Sequence, residues 1–326
     1  MTPKRLAANL ALAAIAVAGG VLLVDGVAGR RENAAEDRSP PEGRFLEVDG
    51  RQVHYLQVGE GPDLVLLHGA SGSMRDWTFS FLDKVRERYR VTLFDRPGLG
   101  YTEIAPRAAG PANTRSETPM DQANLLATAA ERLGVTRPVV VGHSYGGAVA
   151  MAWAIAHDPA AIVVISGATQ PWEGGLGWQQ ELSASALGGA LVVPLVTAFI
   201  GRDFVSSVVS NVFAPQEPPE GYLEHFDVGL ILRRKSFREN AQQVSGLKPA
   251  LTTMTAQYPE IDVPVEMLHG TADGVVSAEL HSEPTASAVP GANLVLLEGL
   301  GHMPHHSDPD AIVAAIDRAA ERAGLR

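Results

Sequence analysis

An α/β fold, with a mostly parallel sheet covered by helices, is predicted by three features of this 326-residue chain. Short runs that are apolar at every position recur along it, as expected of strands buried on both faces. Helical patterns lie between those runs. Several runs end abruptly at glycine-containing turns, where such folds place their functional loops.

In order, Arg44–Val48 and Gln52–Val58 flank Asp49-Gly50, a strong hairpin signal. Leu64–Leu67 ends at His68-Gly69, and Val91–Phe94 ends at Asp95-Arg96-Pro97-Gly98. Val139–Val141 ends at Gly142, and Ile162–Ile165, Val263–Leu268 and Leu294–Leu297 supply the remaining strands. Helical patterns cover Met120–Leu133, Ala148–Ala156 and Asp310–Ala320, the last starting behind the cap Asp308-Pro309. From Pro171 to Tyr258 no strand pattern occurs, and the interval is too long for a plain loop. Residues 171–258 are therefore expected to form a helical insertion, or lid, over the carboxyl edge of a core made by 44–170 and 259–326. Within it, the apolar block Leu191–Ile200 is too short, and interrupted by Pro194, to cross a bilayer by itself.

Residues 1–29 stand apart from this body. Leu6–Val24 carries no charge and one strongly polar residue, Asn9, and approaches the ~20 residues that span a bilayer as a helix. Val27-Ala28-Gly29 would also suit a signal cleavage site, so an uncleaved membrane anchor at 6–24 and an exported, cleaved form both fit. Lys4 and Arg5 on one side face Arg30, Arg31 and Arg38 on the other, so charge leaves the orientation open. An extracytoplasmic body is the expectation by general habit. Residues 30–43, charged and ending near Pro40-Pro41, read as a solvated linker.

A net charge of −11 argues against a general hold on nucleic acid. The absence of cysteine removes disulfides, thiolate metal sites and cysteine nucleophiles.

Gly142-His143-Ser144-Tyr145-Gly146 fits G-x-S-x-G between a strand and a helix. That turn pushes a serine hydroxyl into the open beside the free N–H groups of a helix start. A serine needs a base and an orienting acid. His302 follows the last apolar run by a short loop, and Asp273 follows the run ending at Leu268, giving the order Ser, Asp, His. Asp262 is the alternative acid, but it precedes its strand and falls at the wrong edge. The N–H groups of Tyr145 and Ala70 are the expected oxyanion donors. His305 and His306 make a metal cluster with His302 conceivable, but Pro304 spoils helical presentation and no carboxylate has helpful spacing, so no metal is expected. His68 and His269 are expected to bond locally, and Trp77, Trp153, Trp172 and Trp178 to lie in the core or a pocket wall.

Together, His68-Gly69, Asp95–Gly100, Gly142–Gly147, Asp273 and Gly301-His302 make residues 44–324 resemble the α/β-hydrolase superfamily, in its single-chain form with a helical lid. The resemblance implies an eight-stranded sheet, a Ser144–His302–Asp273 triad and no cofactor. Serine at 144 disfavours relatives with an aspartate nucleophile, such as haloalkane dehalogenases. The expected activity is cleavage of a carboxylic ester or related acyl bond. Leu191, Val192, Leu195 and Phe199 in the lid suggest a small, lipophilic ester substrate. Hydrolysis of a carbon–carbon bond in a vinylogous diketone, cofactor-free perhydrolysis or halide oxidation, and a non-catalytic tethered binding role are the rival readings.

Overall fold

The computed structural model describes residues 3–106, 110, 113–175 and 177–326. Eight strands form one sheet: β1 (Arg44–Val48), β2 (Arg51–Val58), β3 (Asp63–Leu67), β4 (Arg90–Phe94), β5 (Val139–His143), β6 (Ala161–Ile165), β7 (Val265–Gly270) and β8 (Asn293–Leu297). Their spatial order is β1-β2-β4-β3-β5-β6-β7-β8. β1 and β2 pair antiparallel, as do β2 and β4, while all later neighbours are parallel. The β1–β2 turn places Asp49 at φ 52° and Gly50 at φ 76°, the left-handed pair a tight hairpin requires.

The helices that position the site are α1 (Pro3–Arg38), the short α2 (Arg75–Thr78) and α3 (Phe81–Val85), then α4 (Pro119–Arg132) and α5 (Tyr145–Ala156). Side chains of the buried strands alternate between the two faces, the period of two that a pleated strand imposes. Val65, Leu67, Val140, Ile162 and Val164 pack toward α4 and α5. Leu64, Leu66, Val139, Val141, Val163 and Ile165 pack instead toward α2, α3 and the C-terminal helix at Pro309–Arg322. Capping follows the sequence: Thr118 and Asp121 form a capping box on α4, and the Asp308 carboxylate accepts from Ala311 N–H.

Between β6 and β7 the chain is helical wherever it is ordered into elements: α6 (Trp178–Ala184), a π turn at Gly188–Val192, α7 (Val193–Phe199), α8 (Arg202–Val212), α9 (Tyr222–Phe226), α10 (Val228–Ile231), α11 (Arg234–Met254) and a 3-10 segment at Thr255–Glu260. After β7 come α12 (Ser282–Ala288), α13 (Pro304–Ser307) and α14 (Pro309–Arg322).

Two expectations need correction. Residues 30–38 are not a solvated linker: α1 continues through them to Arg38. The charges that suggested solvation are used in docking, because Arg233 pairs with Glu36 at 3.0 Å and Arg234 with Glu32 at 2.7 Å and with Asp25. Arg31 donates to the carbonyls of Ala198 and Ile200, and Ala28 and Ala35 are buried beneath the lid. Trp178, expected in a core or pocket wall, is 69% exposed on α6.

Candidate active site

The parallel strands all deliver their chain ends to one edge of the sheet, so residues far apart in sequence meet there. Ser144 directly follows β5, at φ 53° and ψ −118°. A non-glycine residue in that strained region is what a sharp strand-to-helix turn costs, and it is held by packing on both sides. A Cβ at position 146 would stand 2.4 Å from the Leu67 carbonyl oxygen, and one at 142 would stand 2.1 Å from that of Gly146. Only glycine lets β5, α5 and the end of β3 approach this closely. Ser144 N–H donates to Ile165 O at 2.9 Å, fixing the turn to β6.

Asp273 lies just after β7 and His302 just after β8. Asp273 Oδ2 accepts from His302 Nδ1 at 2.7 Å, which fixes the neutral imidazole with its Nε2 unprotonated. The other oxygen, Oδ1, accepts from Val275 and Val276 N–H at 2.8 and 2.9 Å. Burial works to raise the pKa of Asp273, but hydrogen bonds from His269, His302 and Val276 outweigh it and hold the carboxyl well below its usual range. Asp262, by contrast, is exposed before β7.

Among the described residues no hydrogen bond joins Ser144 Oγ to His302. The two are linked instead through His143, whose Nε2 donates to the backbone carbonyl of His302 at 2.9 Å, with ring centroids 4.9 Å apart. Nucleophile–base contacts are often open before substrate arrives, so this separation leaves the pairing available.

The loop after β3 closes over the same edge. A Cβ at Gly69 would come within 3.1 Å of Ser144 Cβ, so this loop lies against the serine. Ala70 is exposed and its N–H has no partner among the described residues. Tyr145 opens α5, where an N–H has no carbonyl a turn earlier. The loop is held by Arg96, fully buried, which donates to His68 O and Gly69 O at 2.9 Å each and to Gln122 and Gln243 at 2.8 and 2.9 Å. Its guanidinium also lies 4.3 Å over the Tyr145 ring. Burial pulls the Arg96 pKa down to about 10, and burial with the Arg96 cation pulls His68 to about 4. His68 accepts from Arg96 N–H through Nε2 and donates to Gly69 O through Nδ1, and His269 donates to Val276 O, so both histidines bond locally.

His305 and His306 do not cluster with His302. Both turn away to a carboxylate that no spacing in the sequence signalled: Asp76, on α2, meets His305 Nε2 at 3.1 Å and His306 Nε2 at 2.9 Å, and also accepts from Tyr222 OH at 2.8 Å. Asp76, His143 and His305 bring ligand-type atoms within 4.8 Å of one another, which makes them the residues nearest to a metal-binding set. The Asp76 oxygens are already engaged by three hydrogen bonds, and together these side chains form a buried polar network behind the serine turn.

A sequence profile of the alpha/beta hydrolase family matches residues 64–315. An uncharacterized protein of Mycobacterium tuberculosis is 26% identical over 297 residues, covering 89% of this chain and 84% of its own length. A protein named haloalkane dehalogenase 2, from the same organism, is 24% identical over 285 residues, covering 85% and 94%. The crystal structure of a bacterial membrane phospholipase A shares the fold with a TM-score of 0.65 and 24% identity, over 97% of this chain and 99% of that one. The matched stretch runs from β3 through the serine turn and the lid into α14, more than half of the chain, and the chain belongs to the alpha/beta hydrolase family.

Proposed function

We propose that this hydrolase cleaves a carboxylic ester or related acyl bond through an acyl-enzyme. Ser144 is the nucleophile, His302 the general base and acid, and Asp273 the carboxylate that fixes its tautomer. The N–H groups of Tyr145 and Ala70 hold the oxyanion. The observation that carries the reading is the 2.7 Å Asp273–His302 hydrogen bond at the same sheet edge as a serine in a strained turn. A serine at 144 fits acyl transfer better than dehalogenation, despite the likeness to a dehalogenase. Hydrolysis of a carbon–carbon bond or perhydrolysis would use the same three residues, and a panel of esters, dienoate diketones and peroxide acceptors separates the three.

The lid exposes large apolar side chains, which favours a lipophilic substrate. We also propose that α1 is retained as a membrane anchor rather than removed as a signal. Ala28, the central residue of the cleavage motif, is 1% exposed, and Asp25 and Glu32 on either side of it are paired with Arg234. A cut after this motif would remove Asp25 and Ala28 from their contacts with the lid, so the folded body is packed around a retained helix. The likeness to a membrane phospholipase A extends over nearly the whole chain and agrees with that placement.

Ser144 should be labelled by a fluorophosphonate probe, and Ser144→Ala should abolish labelling and ester turnover with little change in thermal unfolding. Most of the turnover surviving in Ser144→Ala would overturn the assignment.

A further inference from the structure

On α1, Val17, Gly20, Val21, Val24, Ala28 and Ala35 recur at helical spacing and share one face. At Ala28 and Ala35 that face is sealed against the lid. Higher up it is not: Val17, Gly20, Val21 and Val24 form one wall of a groove of about 870 Å³ whose opposite wall is Ala190–Leu195 of the lid. A Cβ at Gly20 would meet nothing within 4 Å, and Val17 and Val21 are 67% and 60% exposed, so no lid atom packs against the helix at Gly20 and the groove is open there. The volume falls within the range of ligand pockets. Ser144, Asp273 and His302 do not line it.

The groove's lining is chemically divided. Of the lid's Leu187, Leu191, Leu195 and Phe199, spaced four apart and 50–73% exposed, Leu191 and Leu195 line it, facing the exposed Val17 and Val21 of α1. Exposed apolar area on this scale marks an interaction surface, and on the retained-anchor reading the part shared with a helix long and apolar enough to cross a membrane meets lipid. The lining also holds three cations, Arg234, Lys235 and Arg238. Arg234 is committed to Asp25 and Glu32, and the terminal nitrogens of Arg238 donate to the Ser185 and Asn113 carbonyls. Asp25 and Glu239 are the carboxylates of the lining, the first paired with Arg234 and the second accepting from Gln243. Lys235 is exposed and makes no ion pair among the described residues, although its charge acts on the buried Glu239 one turn further along α11. An aliphatic wall that also carries an exposed ammonium is complementary to a chain with an anionic head.

We propose that the groove between Val17–Val24 of α1 and Ala190–Leu195 of the lid binds the aliphatic chain of an anionic amphiphile drawn from the bilayer, with its carboxylate or phosphate at Lys235. The site is separate from the catalytic serine and rests on the retained-anchor reading.

The test uses the full chain carrying Ser144→Ala, in lipid nanodiscs. A diazirine-bearing fatty acid and a diazirine-bearing phosphatidylglycerol are photo-crosslinked to it in parallel, and the labelled peptides are mapped. Label on residues 17–24 and 188–199 is expected from at least one probe, and which probe labels identifies the source as free acid or phospholipid. Gly20→Trp, which fills the gap, should reduce that label at least tenfold. Lys235→Glu, an exposed change that leaves folding intact, should weaken labelling by the anionic probes several-fold but not by a diazirine fatty alcohol of equal length. Label absent from both segments, or unchanged in both variants, overturns the proposal. Absence of fluorophosphonate labelling at Ser144 in the unmodified chain would defeat the hydrolase chemistry while leaving this binding result standing.

Discussion

Asp273 does more than accept one hydrogen bond: its Oδ2 is shared between His302 at 2.7 Å and His269 at 3.1 Å, while Val275 and Val276 occupy Oδ1. Replacing it by asparagine removes the charge that holds the His302 tautomer. Asp273→Asn should therefore lower kcat by roughly 10³–10⁴. Asp262→Asn, at an exposed position, should leave kcat within about twofold, as surface changes away from special features usually do. Steady-state ester kinetics on both variants decide this, and a larger loss in Asp262→Asn would reassign the acid. The candidate residues Ser144, Asp273 and His302 are legible in the sequence because each follows an apolar run, and strand ends of a parallel sheet converge. Asp76 is not, because its partner His305 lies 229 positions away and nothing local in α2 marks its carboxylate as buried. His143 was visible only as the x of a motif, although its imidazole joins the serine turn to the His302 backbone.

Elements with strong local chemistry are legible in the sequence: the Asp49-Gly50 hairpin, the proline-led α14 and the serine turn. The lid was recognisable only as an interval without strands, since short helices broken by glycine and proline carry weak periodicity. α1 continues beyond Gly29 where the sequence suggests a linker, because charged residues look solvated until their partners, here Arg233 and Arg234 on a distant segment, are known. The serine turn shows how tightly elements constrain one another. Gly146→Ala would force a methyl against the Leu67 and His68 carbonyls, at 2.4 and 2.7 Å, and separate α5 from β3. That substitution should destabilise the protein by about 1–3 kcal/mol, as overpacking does, and reduce turnover at least tenfold by displacing the loop that carries Ala70. Chemical denaturation and ester kinetics measure both, and an unchanged midpoint would contradict the packing argument.

Across the whole molecule, four buried histidines are kept neutral. Burial drives His143 well below its ordinary value and holds His68, His281 and His305 near pH 4, with neighbouring cations and imidazoles reinforcing the effect. In the unfolded chain each takes up a proton near pH 6.5, so the folded state binds fewer protons between those values. Stability is full above about pH 6.5 and is lost as pH falls toward 4, by at most about 3 kcal/mol for each group held near 4. Glu239 acts in the opposite sense: burial raises it to about 7, so its contribution is complete below 4.5 and fades as pH rises through 7. The histidines outnumber it, and calorimetry should find Tm falling steadily from pH 6.5 to 4; a flat Tm over that interval would refute the buried-neutral assignment. Arg96 has a further consequence at this scale. Its guanidinium is sealed from water and ties the Gly69 loop to Gln243 on α11, while Asn240, one turn away, accepts from Ser71 N–H at 2.6 Å. Lifting α11 would strand a dry cation, so that helix behaves as a fixed roof beam, in contrast to the α6–α8 segment beside α1, which Arg96 does not tie down.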